Sequence, residues 1–281
     1  MQNTTAPAFH PLFADPAADT VLRSSDGVLF RAPSATLRRA AGYFAATLPA
    51  TADTEPAPAV TLARVLCALC GVPPPPTAPP LDLAGAEAML ALAAHWDAPG
   101  AAARVRDSLG GAAFLAEPLR LYALAARAGW VEEAQGAARG TLALALFDDA
   151  HREALARVPA RDLLALLALH RRRRDVLDGM LSGWDAQGVG AALVSGRCGA
   201  CGARTEKYDH VWREFRARIF HEMDVRPLGD TVTGFAGEEW NQARACWSAK
   251  CGGAECGKLL YDKDAILQQI KGCIERLPDT V

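Results

Sequence analysis

Two glycine-flanked cysteine pairs, Cys198-Gly-Ala-Cys201-Gly and Cys251-Gly-Gly-Ala-Glu-Cys256-Gly, constrain this chain more than any other feature. Two thiolates three residues apart on a tight turn can share one tetrahedral ion, and the glycines let backbone amides approach the sulfurs. Cys198, Cys201, Cys251 and Cys256 are therefore a candidate structural zinc site, since four thiolates leave no coordination position open for water or substrate. The 49 residues between Cys201 and Cys251 exceed the spacing of a compact zinc ribbon, so the intervening chain has to fold back for the pairs to meet. Other readings stay open at this level. Cysteine also packs as a small hydrophobe, and the Cys198/Cys201 pair has the spacing of a thiol oxidoreductase, although no βαβ pattern surrounds it. Cys246, His210 and His221 are alternative ligands, the two histidines reading first as surface or capping residues.

Eight cysteines, five of them between Cys198 and Cys256, suit thiols or metal ligands in a reducing compartment better than disulfides. The opening MQNTTAPAFHPLFADPAAD has no basic start followed by an apolar core and a cleavage site, and the longest apolar run, Leu163 to Leu169, is far too short to cross a bilayer. The expectation is a soluble intracellular protein of cytoplasm or nucleus, with no membrane partner. Thirty basic against 32 acidic residues leave a net charge of −2, so no global field gathers nucleic acid. Arg171 to Arg174 form one basic run, but four successive residues wrap around a helix and cannot share a face, so a solvated surface is expected there. Abundant alanine with only 7% aromatic residues favours packed helices, giving an α+β, mostly α class.

The N-terminal third supplies the β component. In DTVLRSSDGVLFRA the Asp26-Gly27 pair flanked by apolar β-formers predicts a hairpin. PSATLRRAAGYFAATL predicts one helix, capped at Ser34, with Leu37, Ala40, Ala41, Phe44 and Leu48 on its apolar face. AVTLARVLCALCG predicts a short strand running into a helix that buries Leu62, Val65, Leu66 and Leu69, with Cys67 and Cys70 as packing residues. The proline-rich GVPPPPTAPP stops it, and LDLAGAEAMLALAAHWDAPGAAARV predicts two helices parted at Pro99-Gly100.

The order of these segments over roughly the first 110 residues resembles a BTB/POZ domain of the fungal type. Pro33, where many members carry histidine, and Cys70-Gly71-Val72-Pro73, where an aromatic is commoner, depart from the pattern. The resemblance implies a small sheet covered by helices that works by burying apolar surface against a second copy or another protein partner, as a homodimer or adaptor. Some members bind a cullin scaffold through a hydrophobic-x-Glu signature, which Leu48-Pro-Ala-Thr-Ala-Asp-Thr-Glu55 does not supply, leaving that partner in doubt. EPLRLYALAARAGWVEEAQGAARGTL, with Leu119, Tyr122, Ala123 and Ala126 on one face and Gly129 as a stop, resembles the helical region that follows such domains.

The predicted organisation is an N-terminal tail (1–17), a BTB/POZ domain (18–112), a helical BACK-like domain (113–193) and a Cys-rich helical tail (194–281). In the tail, Val211, Phe215, Ile219 and Met223 form one helical stripe, and Ile266, Ile270, Cys273 or Ile274, and Leu277 another. No GxGxxG, GxxxxGK[ST], GxSxG or HExxH occurs, so no catalytic or cofactor-binding residues are assigned and a non-enzymatic interaction module is expected. Two rival functions are a zinc-dependent nucleic-acid-binding or transcription-associated regulator, and a thiol oxidoreductase using Cys198 and Cys201.

Overall fold

A computed structural model describes residues 8–47, 55–187, 198, 200–204, 209–234, 237 and 239–281. Among these residues the fold is mostly helical with one two-stranded antiparallel sheet, in keeping with the composition, and the chain divides into two compact units, Met1–Glu117 and Pro118–Val281.

In the first unit β1 (Thr20–Arg23) pairs with β2 (Leu29–Ala32), with Leu22 opposite Phe30. That register puts Thr20, Leu22, Phe30 and Ala32 on the buried face, as the period of two requires. The connection is longer than a two-residue turn. Gly27 N–H donates to the Ser24 carbonyl, Ser24 N–H to the Val28 carbonyl, and Gly27 takes a φ of 90°.

The predicted single helix after the hairpin is broken into α1 (Ser34–Ala40) and α2 (Gly42–Ala46), because Ala41 between them is extended. The break still buries Leu37, Ala41 and Phe44, while Leu48 lies outside the described residues. Ser34 is the first helical residue and not the cap. Its N–H and hydroxyl both donate to the Asp19 carboxylate, at 2.7 and 2.6 Å, so the strand entry supplies the anion at the helix start.

The predicted strand at Ala59-Val60-Thr61 is the first turn of α3 (Ala59–Cys70). Apolar residues at i, i+3 and i+4 in that run fit a helix face as well as a strand, and Pro58 ahead of it sets a helix start. The extended segment lies just upstream, where Glu55 N–H donates to the Arg23 carbonyl and Ser25 N–H to the Ala57 carbonyl. α4 (Leu83–His95) is capped by Asp82 and ends at Trp96, and α5 (Pro99–Ser108) begins at the proline that was expected to part the two helices. The short α6 (Ala112–Leu115) completes the unit. Trp96 is fully buried, meets Phe44 edge to face at 4.9 Å, and donates its indole N–H to Glu55, itself buried, at 3.0 Å.

The second unit opens with α7 (Pro118–Ala128), stopped by left-handed Gly129 as predicted, then α8 (Val131–Thr141), α9 (Arg152–Ala156) and the long α10 (Ala160–Gln187). Tyr122 fastens α7 to the start of α10 by donating to the Asp162 carbonyl at 2.7 Å. Beyond it come α11 (Asp209–Val225), α12 (Asp230–Thr233), α13 (Asn241–Ser248) and α14 (Lys263–Ile274). The predicted stripes are buried in α11 at Phe215, Ile219 and Met223, and in α14 at Ile266, Ile270 and Cys273 with Leu277 beyond it. They share one core with Leu177 and Leu181 of α10, so the cysteine-bearing tail and the long helix before it are packed as one body.

The basic run of α10 is not the solvated surface its sequence suggests. Arg171 and Arg172 are exposed, but Arg173 is 4% exposed and its guanidinium donates to the carbonyls of Pro227 (2.8 Å) and Pro278 (2.7 Å), with Leu228 and Leu277 at 3.4 Å. Arg174 stacks on Phe220 and pairs with Asp175 and Asp224. A planar fork with five N–H donors can reach four carbonyls from two chain segments at once, one more than the three N–H groups of a lysine could serve.

Candidate metal centre

Each cysteine pair sits on its own tight turn. In the first, Cys198 N–H donates to the Ala203 carbonyl at 2.7 Å, Gly202 N–H returns to the Cys198 carbonyl at 2.8 Å, and Gly202 takes a φ of 71°. In the second, Cys251 N–H donates to the Lys258 carbonyl at 2.8 Å, Cys256 N–H to the Gly253 carbonyl at 3.1 Å, and Glu255 and Gly257 are left-handed. A bridge between Lys250 and Leu259 closes the base of this turn, and Leu260 N–H donates to the Ala249 carbonyl. Both turns thus point two sulfurs inward from a short closed loop.

The fold-back that the long spacer demands is supplied by α11 and α13. Their aromatic residues interlock: Phe215 meets Trp212, Trp240 and Trp247 edge to face at 6.0, 6.5 and 5.2 Å. Cys198 and Cys251 belong to the same buried core as these rings, so packing of α11 against α13 delivers the two turns to one place.

The sulfurs of Cys198, Cys201, Cys251 and Cys256 all lie within 4.8 Å of one another. Cys198 Sγ is 3.8 Å from Cys256 Sγ, and Cys201 Sγ is 3.5 Å from Cys251 Sγ. A zinc tetrahedron with ordinary Zn–S bonds has S···S edges of about 3.8 Å, so the donor set fits such an ion. Cys198 and Cys251 are buried, Cys256 is half-buried and Cys201 is exposed, placing the cluster at the rim of the core. Among the described residues it is the only group of three or more His, Cys, Asp or Glu side chains gathered this way.

The local backbone favours thiolate. The amides of Ala200 and Cys201 point at Cys198 and pull its thiol down to about 6, the pattern expected where N–H groups solvate a sulfur anion. Gly253 N–H donates to Cys251 Sγ at 3.4 Å. Cys256 is raised: the Lys258 amide works to lower it, and hydrogen bonding with Cys201, burial and Cys198 outweigh that amide. The sulfurs compete for one another's protons, which a divalent cation would relieve.

Gly253 is the contact the sequence did not disclose. A Cβ there would stand 3.1 Å from Cys201 Sγ, 3.2 Å from Ala203 Cβ and 3.5 Å from Cys251 Sγ, so any larger residue would push the first turn outward by a few tenths of an ångström at the sulfur itself.

The alternative ligands are elsewhere. Cys246 is fully buried in α13 and burial pushes its thiol up to about 12, as for a packing residue. His210 and His221 are exposed on α11 and stand outside the cluster. Cys67 and Cys70 have thiols raised by burial in α3, in line with core packing. None of the described helices is long and apolar enough to cross a membrane. Compared with known proteins, the chain matches no family model, no curated protein and no solved structure, so the reading of this centre rests on its own geometry.

Proposed function

We propose that this chain is a non-catalytic interaction protein whose second unit is clasped by one structural zinc ion on Cys198, Cys201, Cys251 and Cys256, and whose first unit associates with itself or a partner in the manner of a BTB/POZ domain. The observation that carries the zinc reading is the convergence of four sulfurs, from two turns far apart in sequence, to tetrahedral spacing. A full thiolate set favours a structural ion over a redox pair, because each sulfur of the Cys198/Cys201 pair has a close neighbour on the opposite turn. A nucleic-acid role is not preferred, since Arg173 and Arg174 are already engaged within the protein. The interaction reading rests on the segment order of the first 110 residues, together with the buried Leu22 and Phe30 of the hairpin and Phe44 and Trp96 of the helices around it. A cullin is not part of it: the hydrophobic-x-Glu signature is missing, and Glu55 is buried against Trp96.

Metal analysis of the purified, reduced chain should find about one zinc per molecule, and the Cys198→Ser, Cys201→Ser double variant should lose it and melt well below the parent. Far less than one equivalent, or unchanged melting of the double variant, overturns the zinc reading. Sedimentation across a dilution series should show reversible association at micromolar concentration. A strict monomer that captures no partner overturns the interaction reading.

A further inference from the structure

The first unit holds a groove of about 440 Å³ to which no residue of the zinc clasp contributes. Its floor is the face of α3 carrying Ala63 and Cys67, closed at one side by Met89 of α4. The far wall is the proline-rich stretch after α3, and Val60 at the rim is 59% exposed. The volume lies in the range of small-molecule sites, and the surface is overwhelmingly hydrocarbon.

Two observations select the occupant. The first is charge: among the described residues no aspartate or glutamate lines the groove, whereas Arg64, Arg104 and His10 do. Arg64 is committed to the wall, donating to the carbonyls of Pro79 (3.0 Å) and Pro80 (3.5 Å). His10 accepts from Leu12 N–H through Nδ1, so its ring is neutral, with a donor at Nε2, and adds no charge. Arg104 makes no hydrogen bond or ion pair among the described residues and is exposed on α5, an uncommitted cation beside an apolar trough.

The second is the lack of backbone partners. Pro74, Pro75, Pro79 and Pro80 have no N–H, the carbonyls of Pro79 and Pro80 already accept from Arg64, and the α3 floor has its amides inside the helix. A peptide laid in this groove would find few partners for its own amides and would bear the cost of unpaired polar groups. A hydrocarbon chain asks for none.

We propose that this groove binds an amphiphilic carboxylate, with an extended acyl chain lying on α3 against the proline wall and the carboxylate on Arg104. The site is separate from the zinc clasp, its lining running only from His10 to Arg104, so its test does not depend on the metal.

Calorimetric titration of the full chain with decanoate and with decan-1-ol, both below their aggregation limits, tests the assignment. One saturable site is expected, with the carboxylate bound about tenfold tighter than the alcohol. Arg104→Gln should abolish that preference while leaving the alcohol's affinity unchanged. Val60→Glu adds an anion to the rim near the start of α3, where an acidic residue suits the helix, and should weaken decanoate alone. Equal affinities for acid and alcohol, no saturation by millimolar ligand, an Arg104→Gln variant that binds decanoate as the parent does, or an apolar decapeptide that binds more tightly than decanoate would each overturn it.

Discussion

At the scale of single residues, two positions outside the thiolate set carry consequences that their sequence neighbourhoods do not announce. Gly253 lies against Cys201 and Cys251 so closely that a methyl group has no room unless a sulfur or the backbone moves. Gly253→Ala should weaken zinc binding at least about tenfold in competition with a chromophoric chelator. Gly272→Ala, on an open face of α14, should leave the affinity alone. His170 is buried beside Thr141, with its Nε2 3.0 Å from the hydroxyl, and burial with the nearby Arg173 depresses it to about 4. The unfolded chain protonates this ring first, near 6.5, so the neutral ring's contribution is complete above that pH and is lost as pH falls toward about 4. Between pH 7 and 4.5 the loss should be about 2 kcal/mol in urea unfolding. His170→Gln, which keeps a partner for Thr141 and does not titrate, should lose correspondingly less over the same interval.

At the scale of elements, α10 shows where pattern reading succeeds and where it stops. The spacing of its buried Leu166, Leu169, Leu177 and Leu181 is that of one helix face, and the same holds for the buried stripes of α11 and α14. The four arginines differ in phase: Arg173 falls four residues after Leu169 and four before Leu177, on the buried face of α10, a position that the charge of the run masks, and there it faces the 227–228 turn and residues 277–278. Arg173→Met should therefore cost about 3 kcal/mol in denaturant unfolding, because it strands buried carbonyls, whereas Arg171→Met and Arg172→Met should stay within about 0.5 kcal/mol. Equal effects at the three positions would show that the carbonyl contacts contribute nothing. The break at Ala41 and the helical start at Ala59 escaped sequence reading for a related reason. Apolar spacing of three and four is compatible with a kinked helix pair, and the short run Ala59-Val60-Thr61 is compatible with strand or helix, so tertiary packing decides.

At the scale of the whole molecule, the four-cysteine cluster was legible in residue type and spacing, because glycine-flanked cysteine pairs at that density suit a shared ion. What the spacing could not provide was the meeting of the turns, which depends on Phe215, Trp240 and Trp247 packing between α11 and α13 over a stretch with no cysteine pattern of its own. The glycine and aromatic residues that make the approach possible look ordinary in one dimension. The α3 groove was equally silent in sequence, since a proline run reads as a rigid turn whether or not it walls a cavity. One consequence follows from the Arg173 contacts. Residue 173 holds residue 278, and the cysteine turns from 198 to 256 close inside that span, so the second unit contains two nested closures. A backbone cleaved once between the turns would still run as one particle on a sizing column, its halves parting only when a chelator and a denaturant were supplied together.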